Sequence, residues 1–244
     1  MLHLRSLALL LSCSVLSACG GGGPPAPPAP TPAQQQAAQA AAQAAEKLKM
    51  YEQLRAAGKD DLAAEIGSDI ANRFPGTPAA QEVAKTLPEL QRQAKEAGET
   101  RRLQRLWSYQ ESPAGKGKQY HVSIYAKGGP TAEGPQRVTL FIRQHPEWGQ
   151  STYLMRDESG FRCAADCALT LRFDGGKPER WAGTIPPTGE PAIFIDKNEA
   201  LVARLLKSKT LSIDTEWKDQ GKRTLEFEVG GLDPAKLPPA GKKK

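Results

Sequence analysis

Hydrophobic positions along this chain repeat with one period in its first half and another in its second. From residue 34 to about 109 proline is rare, and alanine, glutamine, lysine and glutamate dominate. Apolar residues there recur at helical spacing: Leu62, Ile66, Ile70 and Phe74 are four apart, and Val83, Leu87, Leu90, Ala94 and Ala97 alternate fours and threes. Such stripes are packing faces. Gly58-Lys59-Asp60 ends a first helix, with Asp60 or Asp61 placed to cap the second. Phe74-Pro75-Gly76-Thr77-Pro78 ends the second helix, with Thr77 as cap and Pro78 at the first position of a third. Pro88 should kink or interrupt that third helix. Beyond Ser112 the period becomes two: Val122 and Ile124; Val138, Leu140 and Ile142; Leu169, Leu171 and Phe173; Leu211, Ile213 and Trp217; Leu225, Phe227 and Val229. Residues 127–135, Asp174-Gly175-Gly176 and Asp219-Gln220-Gly221 carry turn chemistry, so consecutive strands should be antiparallel neighbours. Leu201, Val202, Leu205 and Leu206 return to helical spacing, with Asn198 able to cap them. The pattern predicts an α+β chain: a helical hairpin or short bundle, then an antiparallel β-sandwich or barrel with one short helix.

The N-terminus carries different information. Arg5 precedes an apolar run from Leu7 to Leu11, and small residues follow at Ser17 and Ala18. A positive end, a short apolar core and small residues form a secretory signal, too short for a membrane span. Leu16-Ser17-Ala18-Cys19 resembles the bacterial lipobox, which implies cleavage before Cys19 and acylation of that cysteine. Several acyl chains on one residue anchor stably, because each buried methylene contributes about 0.8 kcal/mol. By the same analogy Gly20, rather than Asp, after the cysteine implies transport to the outer membrane. Gly20 to Gly23 and the proline-rich run that follows would be a flexible, then extended tether. The other reading of that run is a proline-rich ligand for a groove-bearing partner.

Charge changes the picture little. Lys and Arg number 33 against 27 Asp and Glu, but Lys242, Lys243 and Lys244 make up half of the excess of six. The folded part is close to neutral, which gives no nucleic-acid footprint.

Two further resemblances concern the folded parts. Leu62 to Leu90 resembles a single tetratricopeptide-type unit, but no self-similarity near 34 residues accompanies it. Cys163 to Cys167, then Leu-Arg-Phe-Asp-Gly-Gly, Trp181, Phe194-Ile195, the 201–206 helix and Leu225-Glu-Phe-Glu-Val-Gly-Gly-Leu232 resemble an envelope module over about residues 118–233. The families are the invasion-associated locus B proteins and the type VI secretion-associated VasI proteins. The resemblance implies a β-sandwich of non-catalytic, exported character. The helices of residues 34–109 are not part of that pattern.

Candidate chemistry is sparse. After signal cleavage two histidines remain, His121 and His145, and neither sits in a metal or catalytic motif. Only convergence of Asp157, Glu158, Asp166 and Asp174 would give a carboxylate hydrolase. Cys13 leaves with the signal and Cys19 takes lipid, leaving Cys163 and Cys167. An even number of thiols in an oxidising compartment favours a structural disulfide. A metal site would need two more ligands, and redox pairs usually have two intervening residues. Trp148, Trp181 and Trp217, with Tyr153 and Phe194, are core by default. Trp148 is the exception, since Gln144-His145-Pro146-Glu147-Trp148-Gly149 has no strand alternation to bury it. Trp148 and Trp181 are the candidate contact residues.

The expected organisation is a signal peptide over 1–18, lipidated Cys19 and tether over 19–33, helices over 34–110 and a linker over 111–119. A β-sandwich over 120–233 and a basic tail over 234–244 complete it. The expected function is that of a lipid-anchored envelope protein on the outer membrane, facing the periplasm. It would bind or assemble with an envelope protein without catalysis, metal or cofactor. The alternatives are an inhibitor or immunity lipoprotein and a carboxylate-based hydrolase.

Overall fold

The computed structural model describes residues 29–128, 137–156, 159–163 and 167–237. The signal, Cys19, most of the tether and residues 238–244 of the basic tail lie outside the described residues, whereas the start of that tail forms a 3-10 turn (Pro234–Lys236).

Thr31 opens the first helix, α1 (Pro32–Ala56), with a reciprocal cap. Its hydroxyl accepts from the Gln34 amide, and the Gln34 side chain accepts from the Thr31 N–H at 2.8 Å. Then follow α2 (Asp60–Arg73), α3 (Pro78–Ala84) and α4 (Leu87–Gln104). Thr77 caps α3 as its position requires, and Pro88, at the second position of α4, separates α3 from α4. Two local expectations fail. No side chain caps α2: Lys59 holds the cap position, and Asp60 and Asp61 lie in the first turn, where their charge favours the helix N-terminus instead. Leu62 is 48 % exposed while Ala63, Ala64, Gly67 and Ile70 are buried. A spacing of four advances about 40° per step, so Leu62 has drifted off the face that Ile70 and Phe74 occupy. Gly67 lets α1, α2 and α4 approach closely: a Cβ there would stand 2.8 Å from Leu87 and 2.9 Å from the Tyr51 ring.

Among the described residues ten strands form the second half. Their order is β1 (Ser108–Ala114), β2 (Gly117–Tyr125), β3 (Val138–His145), β4 (Gly149–Arg156), β8 (Ala192–Ile195), β7 (Glu179–Thr184), β6 (Ala168–Phe173), β9 (Leu211–Trp217), β10 (Gly221–Phe227). A short β5 (Phe161–Arg162) pairs with β9, and every pairing is antiparallel. The α+β architecture predicted from periodicity is present. β7 turns the corner between two layers, pairing with β6 up to Ala182 and with β8 from Gly183. Gly183 is needed there, because a Cβ would stand 3.0 Å from the Phe194 carbonyl oxygen. On the opposite seam the Lys127 amide donates to the Glu226 carbonyl at 2.7 Å, tying the end of β2 to β10.

Inward residues of both layers form one core, including Ile124, Leu140, Leu154, Leu171, Ile213 and Phe227, and α5 (Asn198–Leu205) adds Leu201 and Leu205. Each such side chain contributes about 1.5–3 kcal/mol on burial. Three expectations need correction here. Residues 111–119 are not a linker: they lie in the β1–β2 hairpin, whose seven residue pairs run from Ser108 opposite Ser123 to Ala114 opposite Gly117. Gly115, with φ +55°, makes that turn, so what composition presents as a flexible joint is hairpin chemistry. The helices accordingly end at Gln104, not 110. Val229 belongs to a 3-10 turn (Val229–Gly231) rather than to the last strand.

Helices and sandwich meet at that turn. The backbone of α4 presses on it so closely that a Cβ on Gly231 would stand 2.2 Å from the Leu103 carbonyl carbon. Arg102 donates to the Glu228 carboxylate at 2.7 and 3.3 Å, and Trp107, just past α4, is buried in the sandwich core.

Candidate functional site

Trp148 sits in the turn joining β3 to β4 and is 69 % exposed, the most exposed large hydrophobic side chain among the described residues. It is nevertheless fixed. Its ring stacks on His145 with centroids 3.9 Å apart and planes at 11°. The imidazole is fixed in turn by the main chain: Nδ1 accepts from the amides of Glu147 at 3.2 Å and Trp148 at 3.4 Å, which leaves the ring proton on Nε2. One indole face is thus covered, and the large exposure belongs to the other.

Arg143 lies two residues back on the same outward face of β3. Its guanidinium is 5.3 Å from the Trp148 ring centroid and 5.6 Å from that of Tyr153, and its Nε donates to the Ser151 hydroxyl at 3.3 Å. Beyond it a row of rings crosses four strands: His121 on β2, Phe141 on β3, Tyr153 on β4 and Phe194 on β8. The successive centroid distances are 6.0, 5.1 and 5.0 Å. Antiparallel register sets Phe141 opposite Tyr153 and Tyr153 opposite Phe194, which is why residues distant in sequence form one stripe. Burial pushes the Tyr153 hydroxyl up. Burial, with the charge of Arg143 behind it, pushes His121 below its ordinary 6.5.

Trp181 is half-buried on β7, 6.3 Å from Phe173, and lines a groove of about 790 Å³ with Cys167, Lys197 and Ala200. A second groove of about 590 Å³, lined by Cys163, Asp214, Glu216 and Lys222 among others, lies beside it. The Cys163–Cys167 disulfide separates them, with a Cα separation of 5.1 Å, inside the range a bridge requires. The structure does not bring Trp148 and Trp181 into one site: they mark a hairpin turn and a groove. Trp217 and Tyr153 are buried, as large aromatics usually are.

The carboxylates do not assemble among the described residues. Asp174 accepts from the Lys209 and Thr210 amides at 2.7 and 2.9 Å and so braces the start of β9; Asp157, Glu158 and Asp166 lie outside the described residues. Among the described residues no group of three or more His, Cys, Asp or Glu is placed to hold a metal, and no helix is long and apolar enough to cross a membrane. Asn198 does not cap α5. Lys197, at φ +57°, takes that position, while the Asn198 carboxamide accepts from the Thr152 amide at 2.7 Å and donates to the Gln150 carbonyl at 3.1 Å.

The chain is similar to the crystal structure of invasion associated protein B from Bartonella henselae. The two share 20 % identity over 52 % of this chain and 85 % of that one, with a TM-score of 0.34. No family model matches the sequence, and no curated protein does.

Arg143 and Phe141 carry no sequence signal of their own, since an outward arginine and phenylalanine in a strand look like ordinary surface. The clue in the sequence is the order Arg143, His145, Trp148, the first two alternating along the end of β3 and the third following in the turn.

Proposed function

We propose that this chain is a lipid-anchored protein of the cell envelope, carried on the outer membrane by Cys19 and facing the periplasm, where it acts as a non-catalytic binding or assembly module. The observation that carries this reading is Trp148, a large apolar ring kept exposed and yet held rigid by His145. Leaving such a ring in water costs the free protein solvation, and fixing it in advance lowers the entropy lost on binding. The lipobox supports the anchor, and the disulfide fits an oxidising compartment.

Fatty-acid labelling tests the anchor: label should enter the natural protein and not Cys19→Ser, and equal labelling of both refutes anchoring through that residue. A photo-crosslinking side chain at position 147 tests the surface, with position 222 in the 590 Å³ groove as comparison. Adducts from envelope material should form at 147 and vanish with Trp148→Ala. Adducts only at 222 would move the binding surface to the groove.

A further inference from the structure

The chemistry of the partner is written in what Arg143 lacks. On the sandwich, Arg156 pairs with Asp219, Arg172 with Asp214 and Arg204 with Glu179, at 2.6, 2.8 and 2.7 Å. Among the described residues Arg143 has no carboxylate within ion-pairing distance; its contacts there are the Ser151 hydroxyl and two aromatic rings. The Glu190 carboxyl, held below its ordinary range first by the Thr188 hydroxyl, also feels the charge of Arg143, without an ion pair between them. A guanidinium with no ion-pair partner among the described residues, beside an exposed indole, is suited to a ligand that joins one carboxylate to a flat apolar surface.

Main-chain recognition is closed off at this place. β3 is paired on both sides, by β2 and β4. The far side of β4 is taken by β8 from Thr152 to Met155, and beyond that by Asn198, whose side chain occupies the Gln150 carbonyl and the Thr152 amide. An extended peptide would find no free strand to extend, so side chains alone must read the ligand. A polyanionic backbone would need a run of cations, whereas the row of rings beside Arg143 offers two histidines, His121 and His145, and no second guanidinium.

We infer that the β3–β4 turn binds an acidic saccharide: a pyranose whose apolar C–H face stacks on the open face of Trp148 while its carboxylate pairs with Arg143. This rests on the binding reading above and specifies its ligand. The neighbouring Ser151 hydroxyl, half-buried and opposite Arg143 on the same face, supplies a polar partner for a ring hydroxyl.

The test is a titration of the full chain, following the indole N–H resonances of its four tryptophans. The acidic probe is the disaccharide of N-acetylglucosamine and N-acetylmuramic acid; the neutral one is N,N′-diacetylchitobiose. The acidic sugar should shift the Trp148 signal and bind about tenfold more tightly than the neutral one, the usual margin for one charge-assisted contact. Arg143→Gln should abolish that preference, Arg143→Lys should keep part of it, and Trp148→Ala should remove binding of both sugars. Trp217, buried in the core, reports that each variant is folded. Equal binding of the two sugars, an unaltered preference in Arg143→Gln, or a shift of Trp148 by a glutamate-rich peptide alone overturns the inference. So does silence with both sugars. Crosslinks that persist from position 147 in that case leave the binding module standing with a different ligand.

Discussion

Arg156 is 3 % exposed, and its charge is matched on every side. Its guanidinium donates to both Asp219 oxygens, at 2.6 and 3.1 Å, and to the Gly160 carbonyl at 3.0 Å, and it lies 3.9 Å from the Trp217 ring centroid. Removing a partner from a buried cation costs far more than the pair is worth. Asp219→Asn should therefore lower the melting temperature on the order of 5 °C. The hydrogen bond from Arg156 holds the Asp219 carboxyl below its ordinary 3.8. A depressed carboxyl stabilises the fold fully above its ordinary value and loses that contribution as pH falls through the folded value. Thermal melts between pH 2 and 7 should show an acid loss below about pH 4 that is smaller in the asparagine variant. At the same scale, Cys163→Ser with Cys167→Ser opens a loop of sequence separation four. So short a loop constrains the unfolded chain little, so calorimetry should show a fall of only a few degrees, with Trp148-dependent crosslinking intact. A large loss of crosslinking would tie the grooves to the partner after all. Trp148 was legible in the sequence because no alternation surrounds it. Arg143 was not, since only cross-strand register reveals that its neighbours are rings rather than carboxylates.

The element that decides the architecture is the 3-10 turn against α4. Gly231 is required because the backbone of Leu103 occupies the volume a Cβ would take. Gly231→Ala should force α4 away, weakening the Arg102 to Glu228 pair, whose hydrogen bonds hold the Glu228 carboxyl below its ordinary range. Limited proteolysis should then cut at residues 104–107 faster than in the natural protein; an unchanged digest would mean that the junction yields without opening. Among elements, the helices were readable from spacing and breaks, with Thr77 and Pro88 placed as chemistry demands. Strands buried on one face were equally readable. β4 was not, because Tyr153 and Leu154 are both buried, so no alternation survives. Nor was β7: Glu-Arg-Trp-Ala-Gly-Thr spends its length turning a corner and shows no apolar face.

At the scale of the whole molecule, the division into helices followed by strands is visible in the sequence, but the division into separable parts does not follow from it. Trp107 belongs to the sandwich core, and the Tyr109 hydroxyl accepts from the Asp233 amide at 3.0 Å, so the chain between the two periodicities is a structural member of the second half. A fragment beginning at Gln119 lacks β1 and Trp107 and should fail to fold by circular dichroism, whereas one beginning at Arg105 should give a cooperative melt. Folding of the shorter fragment would restore a true linker over 111–119.

That junction also decides how the protein carries load. Strain applied at Pro32 and resisted at the β3–β4 turn would, through the covalent chain alone, arrive at Ser108, the open end of the β1–β2 hairpin, and part its seven pairs one after another like a zip. The contact of Leu103 with Gly231 and the Arg102 pair divert the strain into the C-terminal turn before it reaches that end. Pulled in an optical trap, the natural chain should give up its helices first and its sheet later, and Gly231→Ala should bring the hairpin's rupture down to lower force.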